Sequence, residues 1–250
     1  MHNYRLKLAY NGAPFCGFAR QPGQLTVQGN LESALRTALH QEVETTCAGR
    51  TDAGVHARSQ YVNFLVEDEG LANKSFLRSL NALTHEDISV IEVDEVEEDF
   101  SARFSAKMRE YRYFICNEPT PPIFAKDFCW HIAKPLDVDA MEEASQFLIG
   151  EHDFKSFCMA VSAVYKTTMR YVDEISFSTD VEFGEEVIVI KVVGNAFLHS
   201  MVRTIVGTLV NVGRGKREPS WVAKVLEAKD RQAAGENAPA QGLIFWDVRY

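Results

Sequence analysis

The chain lacks the marks of several large protein classes. Its 250 residues hold no apolar run close to the roughly 20 needed to span a bilayer. The five cysteines, Cys16, Cys47, Cys116, Cys129 and Cys158, are odd in number and no two have C-x-x-C spacing, which argues against a disulfide framework or a zinc site. Cys129-Trp130-His131 offers two potential metal ligands, but without a partner pair it reads as a strand of ordinary buried residues. There is no phosphate-binding glycine loop and no dinucleotide fingerprint. An excess of positive charge is also missing: the net charge is −9, unlike a generic nucleic-acid binder. A polyanion meets the local field, however, not the average. The acids Glu92, Asp94, Glu95, Glu97, Glu98 and Asp99 crowd one short run, and directly after it the sign reverses at Arg103, Lys107, Arg109 and Arg112.

What is present is ordinary globular material, 46% hydrophobic and 24% charged, long enough for one large domain or two smaller ones. Met1–Arg5 runs straight into a strand pattern with no apolar signal core, so a cytoplasmic protein is expected. Tyr4, Leu6, Leu8 and Tyr10 alternate with Arg5 and Lys7, the pattern of a half-buried strand. Val27, Leu31, Leu35 and Leu39 mark a helix over Thr26–Gln41. Val43–Cys47 and Gln60–Val66 read as strands, the surroundings of Phe76–Leu83 as a helix, and Ile88–Val96 and Glu110–Asn117 as strands. The second half repeats this order in outline. A helix over Asp137–Ile149 is capped by Asp137, strands fall at Tyr171–Ser178 and Val187–Gly194, a helix covers Phe197–Val212, and Leu243–Tyr250 is a closing strand. Such mixing predicts α+β layers with helices on mainly antiparallel sheets. Pro119-Thr120-Pro121-Pro122 is the expected connection, dividing the chain into 1–118 and 119–250.

The densest chemistry lies in Ala48-Gly49-Arg50-Thr51-Asp52-Ala53-Gly54-Val55-His56, between two strand-like runs. Polar residues on a short loop held by rigid strands are well placed for catalysis. In an extended backbone Arg50 and Asp52 share one side of the chain, and a guanidinium near a carboxylate keeps it ionised and aimed. For Arg-x-Asp alone, a surface turn with an ion pair explains as much. The unbroken string Gly49–His56 resembles the active-site motif of the TruA family of tRNA pseudouridine synthases.

The resemblance extends over nearly the whole chain. Tyr10-Asn11-Gly12 through Gly17-Phe18-Ala19-Arg20-Gln21 resembles the family's opening stretch, departing at Asn11, Phe18 and Ala19. His56-Ala57-Arg58-Ser59-Gln60 carries serine where the family has glycine, and the Ser79–Ile88 region lacks a usual proline. Phe100–Ala106 followed by Tyr111-Arg112-Tyr113 interleaves basic and aromatic residues, a surface that can pair with phosphates while a ring stacks on an exposed base. Gly194–Arg203 sets Arg203 on a mostly apolar helix, where a charge is costly unless paired; Asp52 is one partner that would satisfy it. Gly150–Phe154 and Lys166–Arg170 also match, as structure or RNA backbone contact.

The resemblance implies two similar α/β halves with an active-site cleft between them, the pseudouridine synthase fold. It implies that Asp52 is the nucleophile, that Arg50 and Arg203 hold its carboxylate ionised, and that Tyr111 contacts the target uracil. Arg58, Arg103, Arg109 and Arg112 are then candidate RNA contacts. The implied reaction turns uridine into pseudouridine at positions 38–40 of tRNA. The N1–C1′ bond breaks, the uracil turns and C5 joins C1′, with no atom gained or lost, so no metal or cofactor is expected. Whether the carboxylate adds to C1′, adds to the base or abstracts a sugar proton stays open. The target base must leave its stack. A homodimer with tRNA lying across both subunits is also implied. Two other readings compete. A non-catalytic RNA-binding or remodelling module would not need Asp52, and a metal-dependent hydrolase would need further ligands.

Overall fold

The computed structural model describes residues 1–159, 167–182 and 184–250. The chain packs as two units, Met1–Arg109 together with Ile244–Tyr250, and Glu110–Leu243. Pro119–Pro122 lies within the second unit. Each unit is an α+β layer of mainly antiparallel strands with helices.

In the first unit, strand β1 (His2–Tyr10) buries Tyr4, Leu6, Leu8 and Tyr10, as its alternation requires. It lies antiparallel to β4 (Ile88–Val96) on one edge and to β3 (His56–Val66) on the other. Residues 244–249 of β10 (Leu243–Arg249) add a parallel edge, with Ile244 opposite His56 and Phe245 opposite Ala57. The acidic run starts on β4, where Glu92 and Asp94 share one face, and continues past its end at Glu97, Glu98 and Asp99. Arg5 stands opposite Asp94 and Lys7 opposite Glu92, and the pairs meet at 2.7 and 3.4 Å, a cross-strand neutralisation. His2 joins them through Glu95 at 2.6 Å, and that hydrogen bond raises its pKa.

Helix α1 (Val27–Leu39) starts where Thr26 accepts from the Gly29 amide, and α2 (Lys74–Leu83) where Asn73 accepts from Ser75 and Phe76. The expected strand at Val43–Cys47 is shorter than its sequence suggests. Only Thr46 and Cys47, β2, pair with β3. The buried Glu32 carboxylate on α1 takes both the amide and the hydroxyl of Thr45, so this backbone serves the helix instead of the sheet.

In the second unit the strand order is β5 (Met108–Cys116, whose first two residues belong to the first unit), β9 (Glu185–Gly194), β8 (Met169–Glu182) and β7 (Gly150–Asp153). A short β6, Trp130–His131, runs parallel to β5, so the Cys129–His131 segment is strand at its last two residues, with Cys129 buried just before them. Asp137 caps α3 (Val138–Ser145); the expected helix to Ile149 tightens into a 3-10 turn at Gln146–Leu148. The two family-like segments around 150 and 168 are neighbours, His152 opposite Arg170 and Asp153 opposite Met169. Lys166 lies outside the described residues. Helix α4 (Met201–Gly213) begins four residues later than its apolar spacing predicts, because Ser200 takes a left-handed conformation (φ 60°) and breaks the helix there. Helix α5 (Trp221–Ala228) follows. Among the described residues no helix is long and apolar enough to cross a membrane.

Candidate active site

Nearly every residue of the Ala48–His56 loop is tied to a neighbour. The Ala48 amide donates to Tyr61 and its carbonyl accepts Nε–H of Arg109 at 3.1 Å. Gln60, with 0% exposure, donates Nε2–H to the Gly49 carbonyl at 2.6 Å and accepts from its amide. The Thr51 hydroxyl meets the buried Tyr10 hydroxyl at 2.8 Å, and the Thr51 carbonyl accepts from the Phe18 amide. The Val55 amide closes a turn on the Asp52 carbonyl, and the Gly12 amide donates to Nδ1 of His56. Burial pushes the Tyr10 hydroxyl well above the usual tyrosine range, so it stays a neutral hydrogen-bonding group. Asp52 is half-buried and Arg50 exposed on this frame. The bonds at Ala48, Gly49, Thr51 and Val55 pre-organise the loop that carries this carboxylate.

The family's opening stretch packs directly behind the loop. A Cβ on Gly12 would lie 2.1 Å from the Val55 carbonyl oxygen, so the chain must carry glycine there. Asn11 bridges to Asp87 through its side-chain amide at 2.9 Å; an aspartate at 11 would face that carboxylate. Gly12→Ala should therefore cost about 1–3 kcal/mol through overpacking and lower turnover by displacing the loop. Denaturant unfolding with a parallel rate measurement checks this, and unchanged values for both would show that the loop yields.

The candidate arginines separate. Arg103 is exposed. Arg58 is exposed too, its guanidinium carbon 4.7 Å from the centre of the Trp246 ring. Arg109, expected on an RNA-facing surface, is only 8% exposed. Besides Ala48, it donates to the carbonyls of Ala106 at 3.0 Å and Arg103 at 2.6 Å. Three of its N–H groups thus meet backbone carbonyls, which makes Arg109 an anchor of this loop.

On the second unit, Tyr111 in β5 is 7% exposed and meets Phe197 edge to face, the centroids 5.1 Å apart. Phe197 is a partner that sequence reading missed, since it was read as the start of a helix. Its ring covers Gly194, where a Cβ would come within 3.0 Å of it; that small residue three positions earlier was the available signal. Arg112 is half-buried and paired with Glu110 at 2.8 Å. Arg203 on α4 is half-buried and donates Nε–H to the Ala238 carbonyl at 2.7 Å, while the Ala238 amide returns a bond to the Arg203 carbonyl. Burial drives the neighbouring Tyr113 hydroxyl above its usual range, and the Arg203 charge opposes that shift. Among the described residues no three His, Cys, Asp or Glu side chains converge as a metal site.

Comparison with known proteins identifies the family. The sequence profile described as "tRNA pseudouridine synthase" matches residues 8–105 and 144–250. The chain is 44% identical over 250 residues to tRNA pseudouridine synthase A of Brevibacillus brevis, with both chains covered completely. It is also 44% identical over 251 residues to tRNA pseudouridine synthase A of Francisella tularensis subsp. novicida, covering all of this chain and 95% of that one. The profile takes in both halves, including the Asp52 loop and the Gly194–Arg203 segment, and the chain belongs to the tRNA pseudouridine synthase family, a family of isomerases.

Proposed function

We propose that this pseudouridine synthase acts on uridines 38–40 in the anticodon stem-loop of tRNA, with Asp52 as its nucleophile. The observation that carries the assignment is the loop itself: a half-buried carboxylate on a backbone anchored by Arg109, Gln60, Tyr10 and Phe18. Such a carboxylate meets the positive charge that develops at C1′ as the N1–C1′ bond breaks. The uracil then turns, C5 bonds to C1′, the C5 proton leaves and N1 gains one. In this reading Arg50 and Arg203 complete the catalytic set. Tyr111, backed by Phe197, receives the flipped base. Arg58 and Arg103, exposed, meet RNA phosphates, with Arg112 lending charge from its pair with Glu110. The family resemblance supports a cytoplasmic homodimer.

The test is to map pseudouridine in tRNA transcripts that carry or lack uridine at 38, 39 and 40, in excess chelator with monovalent salt holding the tRNA fold. Modification confined to those positions is expected. Modification elsewhere would overturn the positional assignment. Absence of product would overturn the reaction, and activity restored only by a divalent ion would favour metal-dependent chemistry.

A further inference from the structure

Phe104 is the most exposed aromatic side chain in the chain's basic segment, at 80%. It stands at the tip of a turn that is far from slack. The Phe100 carbonyl accepts from the buried side-chain amides of Asn3 and Asn63, at 2.8 and 3.3 Å. The Ala102 amide donates to Oδ1 of Asn63 at 2.9 Å, and the Ala102 carbonyl accepts the Tyr250 hydroxyl at 3.1 Å. Ser101 and Ser105 exchange side-chain and backbone bonds across the turn, and the Ser101 hydroxyl accepts from the Phe104 amide. Arg109 takes the Arg103 carbonyl at 2.6 Å. Buried polar side chains thus fix this backbone, while the two residues at its tip, Arg103 and Phe104, face solvent. The Arg103 guanidinium lies against the Phe104 ring, 5.1 Å from its centre.

We propose that Phe104, with Arg103 against it, is a stacking platform for an unpaired base of the tRNA. A fixed, flat ring loses little freedom on binding. Stacking suits any nucleobase, and the adjacent guanidinium adds attraction for the phosphates that accompany the base. The platform also shares its anchor with the catalytic loop. The Arg109 side chain that holds the Arg103 carbonyl holds the Ala48 carbonyl as well, so a base seated on Phe104 is in fixed register with the loop that carries Asp52. This rests on the reading of the enzyme as acting on tRNA through Asp52.

Phe104→Ala, Phe104→Trp and Arg103→Ala in the full chain test it, with tRNA and heparin, a polyanion without bases, as the two probes. Phe104→Ala should weaken tRNA affinity or single-turnover kcat/KM by roughly 5- to 150-fold, the range that stacking on one ring commands. It should leave heparin affinity and the melting temperature unchanged. Phe104→Trp should restore function, and its added fluorescence should change when tRNA binds. Arg103→Ala should weaken both probes. Wild-type tRNA affinity and rate in Phe104→Ala would overturn the platform, as would an equal loss toward heparin or a change confined to oligomeric state. A wild-type enzyme that makes no pseudouridine would instead overturn the parent reading, so the two failures are distinguishable.

Discussion

Asp52→Ala is expected to abolish pseudouridine formation while tRNA binding survives. The rate should fall by about ten-thousand-fold or more, the scale on which removing a nucleophile acts. Affinity should stay within about threefold, since many phosphate contacts share the binding. Asp52→Asn keeps the shape and removes the charge, and it should fall as far. A cycle with Arg203→Ala extends the test. If Arg203 works through the carboxylate, its removal costs rate in the wild type and almost nothing in Asp52→Asn. Single-turnover assays with labelled tRNA, beside filter binding, check both. Substantial turnover in Asp52→Ala would sink the mechanism.

Replacing Arg109 is the second large effect, and it should appear in stability first. Arg109→Met leaves three carbonyls, those of Ala48, Arg103 and Ala106, without this donor. At about 1–3 kcal/mol for a buried group left unsatisfied, the Ala48 carbonyl alone costs that much, and the two part-buried carbonyls add to it. At roughly 2–4 °C per kcal/mol for a chain of this size, the melting temperature drops by at least about 2 °C. If the Asp52 loop is the catalytic one, turnover should fall as well, because the loop loses its anchor at Ala48. Arg109→Lys keeps the charge but cannot span three acceptors with one ammonium, so it should recover only part of both. The salt dependence of tRNA affinity separates this role from a phosphate contact. Arg103→Ala should reduce the slope by about one counterion, and Lys224→Glu, at an exposed position of α5, should leave it unchanged. If Arg109→Met flattens the slope without lowering the melting temperature, its guanidinium lies on RNA after all.

These two residues also mark what was legible in the sequence. The family was legible at Asp52 because the motif around it is local and unbroken. The strand Ile88–Val96 was equally plain, and so were the caps Thr26 and Asp137, because period and capping chemistry are written within a few residues. The anchoring bonds of Arg109 were hidden because a sequence shows a charge but not the carbonyls it will meet; that of Ala48 comes from 61 residues away. The shortness of β2 was hidden for the same reason, since Glu32 on another element claims Thr45. The start of α4 was lost because Leu198 remains buried beyond the helix end, so apolar spacing continues where the backbone does not. Phe197 and Gly194 show the same limit: a ring packed on a glycine leaves no periodic trace.

The return of residues 244–250 to the first unit has a consequence for how the protein is made. His56 and Ala57, which follow the Asp52 turn, have Ile244 and Phe245 as partners, and Tyr250 packs on Phe100 and Tyr61 and bonds to Ala102. A ribosome moving from the amino end therefore releases the Asp52 segment long before the strand that flanks it exists. The intervening residues must be synthesised first, and contacts of such sequence separation form slowly. Nascent chains stalled short of residue 244 should hold the segment unassembled until β10 is made and docks.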